Sequence, residues 1–230
     1  LQAYQKRAIH VAVALRELAK ANGRKIPVRL VKGAYWDSEI KKSQVDGQND
    51  YPVFTRKVYT DVSYLACAKK MLANTDAFYP MFATHHAYTV SAVFKMAGEY
   101  RDYEFQCLHG MGDALYDQVV SPMSEIAMPC RVYAPVGTHK HLLAYLVRRL
   151  LENGANSSFV NQILNTGVPV ADLVKNPLVE ALAMHLLPHP HIPLPRNLYG
   201  DKRMNSKGLD LSNPHVLMQT LNEIEEASKD

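Results

Sequence analysis

The chain is 230 residues long, 47% hydrophobic and 21% charged, a balance that suits a globular protein with one sizeable core and excludes a disordered or fibrous chain. Its formal net charge of +4 is spread without blocks of like charge, so the clustered basic face that nucleic-acid binding uses is missing. No apolar run approaches the roughly 18 residues of a spanning helix and no charged-then-apolar leader opens the chain. Cys67, Cys107 and Cys130 are odd in number and far apart, which fits neither a disulfide framework nor a zinc motif and points to a reducing cytoplasm.

In chain order, Tyr4 to Asn22 carries Ile9, Val11, Val13, Leu15 and Leu18 among basic residues, with Gly23 where a helix would be capped. The β-branched run Ile26 to Tyr35, entered through Pro27 and left through Gly33, reads as a buried strand. Phe54 to Asn74 supplies the next helix, and Phe78 to His86 the next strand. Tyr88 to Ala97 is helical, Tyr103 to Leu108 a short strand, Asp113 to Val120 a helix and Arg131 to Val136 the last strand. His139 to Glu152 follows as a helix, with Leu142, Leu143, Leu146, Val147 and Leu150 as its apolar stripe.

Strands alternating with helices in this way imply a parallel β/α architecture. No Gly-rich phosphate fingerprint follows the first strand, which disfavours an open dinucleotide-binding sheet. A complete barrel needs about 250 residues, so the expected fold is α/β, half of a (βα)8 barrel built from about four βα units, which the family resemblance given below makes the C-terminal half of a distorted TIM-type barrel. A Pro-rich arm from Leu187 to Gly200 and a helical tail follow it. The domain division expected is 1–186 for the barrel part and 187–230 for the arm and linker.

Sites in such barrels form at the C-terminal ends of the strands. Those ends here read Lys32 to Trp36, Thr84 to His86, Gln106 to Gly110 and Tyr133 to Gly137. On the last helix, Tyr145, Arg148, Arg149 and Glu152 recur at helical spacing. That stripe is either two guanidinium forks and an aromatic gripping a small carboxylate, or a solvated face with an Arg148–Glu152 ion pair. His85 can be read as a general base, as a hydrogen-bond donor to a phosphate or carbonyl, or as a structural histidine. No nucleophile and acid complete a triad with it, and the scattered histidines lack carboxylate partners at metal-ligand spacing.

The strings RLVKGAYWDSEIK (29–41), YPVFTRKVYTDVSYLACAKK (51–70), ATHHAYTV (83–90), YEFQCLHGMGD (103–113) and RVYAPVGTHKHLLAYLVRRLLENGANSSFVN (131–161) resemble the proline dehydrogenase module of bifunctional bacterial proline-utilisation flavoenzymes. The resemblance implies a barrel that binds FAD, oxidises L-proline to pyrroline-5-carboxylate and passes electrons to a membrane quinone, in a cytoplasmic protein with peripheral membrane association. It implies that Arg148 and Arg149 hold the substrate carboxylate, that Tyr133 and Tyr145 pack around the proline ring, and that Glu152 orients the arginine pair. Arg29 would sit near the reactive flavin nitrogen, with Val31, Gly33, Ala34, Tyr35 and Trp36 against the isoalloxazine and ribityl chain. Thr55, Arg56, Lys57, Thr84 and His85 match positions around the phosphates and adenosine, Gln106 a flavin-bonding glutamine, and Ser158 and Phe159 contacts near the adenine. No metal is implied.

His86 stands where the family pattern has asparagine and Asp113 where it has glutamate. The resemblance places the start of the chain at the helix before the fifth barrel strand. A half barrel of that kind is expected to expose two strand edges and to self-associate or pair with a separate N-terminal fragment. The competing expectation is a structural fragment that holds no flavin and catalyses nothing.

Overall fold

The computed structural model describes residues 1–154, 169 and 174–229. Ile26–Leu30, Phe78–Ala83, Glu104–Leu108 and Cys130–Tyr133 are strands β1 to β4 of one parallel sheet, ordered β1-β2-β3-β4. Helix α1 (Ala8–Ala21) precedes β1. Helices α2 (Trp36–Val45) and α3 (Lys57–Leu72) follow it, α4 (Ala87–Ala97) and α5 (Asp113–Val120) follow β2 and β3, and α6 (His139–Gly154) follows β4. Helices α7 (Pro177–Ala183) and α8 (Pro214–Ala227) lie further on. The regular alternation with neighbouring parallel strands is the βα architecture read from the sequence.

Register fixes which residues share a face. Arg29 lies opposite Met81, Met81 opposite Glu104, and Gln106 opposite Arg131. On the helix-facing side Leu30, Phe78, Phe82 and Phe105 are fully buried against Tyr64, Val90, Val93 and Val119. Phe82 meets Tyr103 edge-on at 5.6 Å and Phe105 at 6.3 Å. Each such side chain contributes about 1.5–3 kcal/mol through burial, so this side is the stabilising core. The other side carries Arg29, Glu104, Gln106, Arg131 and Tyr133, by alternation along each strand.

Two outer-helix tyrosines tie the strand ends together. Tyr64 of α3 donates to the carbonyls of Leu30 (3.5 Å) and Ala83 (3.3 Å). Tyr116 of α5 donates to those of Thr84 (2.7 Å) and Gln106 (3.3 Å). Each phenol bridges neighbouring strands near the end where a site would form.

The structure differs from the sequence reading at several element ends, with β1 stopping at Leu30 rather than Tyr35, β2 at Ala83 rather than His86 and α3 starting at Lys57 rather than Phe54, and in three further places. The first helix starts at Ala8 rather than Tyr4, because Leu1 to Tyr4 bond to the end of β1, Gln2 bridging to Val31 before the chain turns at Ala3 and Tyr4. There the Leu1 amine donates to the Arg29 carbonyl (2.8 Å), Val31 N–H to that of Leu1 (3.0 Å), Ala3 N–H to that of Val31 (2.8 Å) and Tyr4 N–H to that of Lys32 (2.8 Å). The outer edge of β1 is therefore paired along this stretch, contrary to the expectation of two open edges. Second, α2 was not expected, and of its residues only Ile40 and Ser43 are buried. Third, β4 stops at Tyr133, and Val136 is fully exposed.

The chain divides into two compact units, Leu1–Lys32 with Val58–Leu186, and Gly33–Lys57 with Leu187–Asp230. The sequence division at 186/187 did not separate Gly33–Lys57 from the sheet. In the second unit the Pro-rich arm is held by backbone and side-chain bonds: Thr55 Oγ1 accepts from His189 N–H (3.0 Å), Arg56 Nε donates to the carbonyls of Leu187 (2.9 Å) and Pro188 (3.2 Å), and Tyr51 Oη donates to that of Pro193 (2.7 Å). Gly47, at φ +59°, and Gly208 cross so closely that a Cβ on either would lie 1.8 or 1.5 Å from a carbonyl oxygen of the other strand of chain. Only glycine fits at that crossing.

Candidate active site

At the C-terminal edge of the sheet the first unit gathers Arg29 from β1, His85 from the β2–α4 turn, Tyr133 from β4, and Tyr145 and Arg149 from α6, the helix that also carries Arg148. The Arg29 guanidinium lies 4.1 Å from the centre of the Tyr133 ring, and that of Arg149 lies 5.1 Å from the Tyr145 ring. Because β1 and β4 are not neighbours, the Arg29–Tyr133 contact spans the concave side of the sheet. Burial pushes the Tyr133 phenol up, against the opposing pull of Arg29, and Tyr145 and Arg149 also act on it. Two cations, each on a tyrosine face, thus converge on one edge.

His85 resolves one of the alternatives left by the sequence. The Leu108 backbone N–H donates to its Nε2 at 3.0 Å, so the lone pair a general base would use there is engaged. The proton of the neutral ring is then assigned to Nδ1, leaving a donor. Burial, reinforced by the charges of Arg149 and Arg29, pushes its pKa down to about 4, so the ring is neutral at pH 7. Gly112, at φ +71°, closes against it, and a Cβ there would sit 3.4 Å from His85 Cδ2. Thr84 is buried, its Oγ1 accepting from His86 N–H at 3.2 Å.

Beneath this edge Glu104 is buried and saturated. Arg131 grips it bidentately through Nε (2.7 Å) and Nη2 (2.8 Å), Tyr79 Oη donates at 3.2 Å and Gln106 Nε2 at 2.7 Å. The Arg131 bond, with those from Gln106 and Tyr79, holds its carboxyl below the usual carboxylate range. Glu104 and its partners were missed by sequence reasoning. The available signal was the alternation of Glu104 and Gln106 with Phe105 and Cys107, which marks a two-faced strand.

Of the other expected residues, Val31 has its N–H and carbonyl taken by Leu1 and Ala3 and offers its side chain. Gly33, Ala34, Tyr35, Trp36, Thr55, Arg56 and Lys57 belong to the second unit. There Trp36 Nε1 donates to the Phe54 carbonyl at 2.7 Å, and Thr55 and Arg56 engage the arm as described. Ser158 and Phe159 lie outside the described residues, as does the Glu152 side chain, so the expected Arg148–Glu152 pair lies outside them too. Among the described residues no cluster of His, Cys, Asp and Glu suits a metal ion. No helix among them is long and apolar enough to cross a membrane.

The model of the family described as proline dehydrogenase matches residues 1–162. The chain is 59% identical over 228 residues to the "Bifunctional protein PutA" of Escherichia coli, an alignment covering 94% of the chain and 17% of that protein. A solved structure described as bifunctional proline utilization A superposes with a TM-score of 0.91 at 50% identity, over 98% of the chain and 23% of the other. Proline utilization A from Bdellovibrio bacteriovorus superposes with a TM-score of 0.85 at 34% identity, over all of the chain and 23% of the other. The chain thus spans less than a quarter of these relatives' length.

Proposed function

The chain belongs to the proline dehydrogenase family, and from that premise we propose that it forms the substrate-and-flavin edge of an enzyme that oxidises L-proline to pyrroline-5-carboxylate with FAD. The observation that carries this reading is the pair of arginine–tyrosine stacks, Arg29 on Tyr133 and Arg149 on Tyr145. A small amino acid with one carboxylate and a compact apolar ring suits a guanidinium fork beside an aromatic surface, and α6 carries both at adjacent turns.

The residues present also fit a flavin. Arg29 brings a fixed positive charge, which suits a ring system that becomes anionic on reduction. His85 brings a neutral donor and Gln106 a side-chain amide, polar groups of the kind a ribityl chain or ring edge engages. When bound, FAD supplies the two-electron acceptor. The protein's own part is to hold the carboxylate with Arg148 and Arg149, to cover the ring with Tyr133 and Tyr145, and to keep water from the reacting face.

The remaining parts of the reading rest on the resemblance alone. A membrane quinone takes the electrons, and the parent is cytoplasmic with peripheral membrane association. Residues 1–186 form the barrel part, and 187–230 lead toward an aldehyde dehydrogenase module. Exposed Val132, Leu146 and Leu151 favour a covering partner on the β4–α6 side, either a second copy of the chain or a separate barrel half.

The test is an absorbance spectrum after addition of FAD and desalting, followed by addition of L-proline. Retained flavin whose absorbance falls with proline supports the assignment. A colourless chain that stays folded supports the competing reading, a structural fragment without flavin.

A further inference from the structure

The four hydrogen bonds that Glu104 accepts fill the lone-pair sites of a carboxylate, and Arg131 keeps that carboxylate ionised. It is therefore an acceptor and nothing else. Its partner Gln106 is an amide with two different ends, and the 2.7 Å contact uses Gln106 Nε2. Turning the amide over would set Oε1 against a carboxylate oxygen. The orientation is thus dictated by charge.

We propose that Glu104 is a positioning residue that fixes the polarity of Gln106, making Oε1 the atom Gln106 presents, so that Gln106 accepts from a ligand N–H of the kind a flavin carries on its pyrimidine ring. This rests on the flavoprotein reading. Three observations support it. No hydrogen bond to Gln106 Oε1 is formed among the described residues, and although Gln106 is only 5% exposed, that oxygen is not an enclosed one, so it is an acceptor a ligand can reach. The Gln106 carbonyl is clamped by Thr84 N–H (3.3 Å) and Tyr116 Oη (3.3 Å), which leaves the side chain as its adjustable part. Finally, Tyr79 and Arg131 reach Glu104 from the strands on either side, β2 and β4, so the lock is built by three strands. The neighbouring His85 has its polarity set in the same manner, by the Leu108 N–H. The edge therefore shows a ligand one fixed acceptor and one fixed donor.

The experiment uses the full chain with glutamine side-chain nitrogens isotope-labelled, the Gln106 signal being identified by its loss in Gln106→Met. In the flavin-free protein the Gln106 NH2 protons should be shifted downfield and slow to exchange, and Glu104→Gln should abolish both effects. FAD is then titrated into each protein. Wild type should bind about tenfold more tightly than Glu104→Gln and than Gln106→Met, and the double variant should lose no more than either single one. A merely structural Glu104 would give losses that add.

An unshifted Gln106 signal in wild type, or one indifferent to Glu104→Gln, overturns the lock. A lock that responds to Glu104→Gln while FAD affinity stays the same overturns the acceptor role. A lock that responds in a wild type that binds no FAD supports the orientation and sinks the flavoprotein reading instead. If Glu104→Gln does not fold, Gln106→Met carries the test, and unchanged FAD affinity there overturns the proposal.

Discussion

Arg29 on β1 lies 4.1 Å from the ring of Tyr133 on β4, a contact between the two outermost strands of the sheet. The tyrosine face holds the guanidinium plane, and the guanidinium keeps the ring over the concave side. Tyr133→Phe keeps the stack and should change stability little. Tyr133→Ala removes it and should cost about 0.5–2 kcal/mol in urea unfolding. Arg29→Lys replaces a planar fork by a point charge, and under the proposed function we expect kcat with L-proline to fall by roughly 100-fold. A kcat within about threefold of wild type would remove Arg29 from the chemistry.

Arg149 differs in what it should control. If it grips the substrate carboxylate, Arg149→Lys should raise KM for proline by about 10- to 100-fold and leave kcat far less affected, since a charge-assisted fork contributes about 1.5–3 kcal/mol. Steady-state kinetics on proline separate the two parameters. Unchanged KM would return the stripe to the solvated-face reading.

His85 predicts a pH dependence of stability. Its folded pKa is pushed down to about 4 from an ordinary 6.5, so between these values the unfolded chain binds a proton that the folded chain does not. Stability is fully present above pH 6.5 and is lost as pH falls toward 4, by about 3 kcal/mol in all. In His85→Gln that slope should flatten between pH 6.5 and 4.5. Urea midpoints across this range measure it, and a slope equal to wild type would show that His85 is protonated as readily as in water.

Tyr116→Phe removes a phenol that bonds the Thr84 and Gln106 carbonyls at 2.7 and 3.3 Å. We expect a loss of about 1–2 kcal/mol, because two buried acceptors lose one donor. The readout is the chemical-denaturation midpoint at constant slope.

The four βα units were legible because each strand is a short β-branched or aromatic run and each following helix, α6 above all, carries an apolar stripe. The helix that carries Tyr145, Arg148 and Arg149 was legible from its apolar stripe, and their shared face follows from helical spacing. Helix α2 was not, since WDSEIKKSQV buries only Ile40 and Ser43 and shows little amphipathic contrast. The pairing of Leu1 to Tyr4 with β1 was too short to leave a period. The Glu104–Arg131 grip joins two strands by chemistry rather than by spacing. The role of His85 depended on a backbone N–H, and no sequence pattern announces which lone pair an amide will occupy.

The crossing of Gly47 and Gly208 offers a further check. With a Cβ placed 1.8 Å from the Ser206 carbonyl oxygen, Gly47→Ala should detach the segment around residue 208. Limited proteolysis should then cut within residues 198–212 at protease levels that wild type resists. An identical digestion pattern would mean the crossing is not maintained in solution.

The bonds that close the second unit join residues 131, 134 and 142 positions apart. At a synthesis rate of about 5–20 residues per second, the segment carrying Thr55 waits roughly 7 to 27 s on the ribosome before His189 has even been made. During that interval α2 has no arm to rest on, while β1 and β2 can already pair. The nascent chain therefore has an order of assembly written into its connectivity: the sheet first, and the clasp around Gly33–Lys57 only after α6 has been translated.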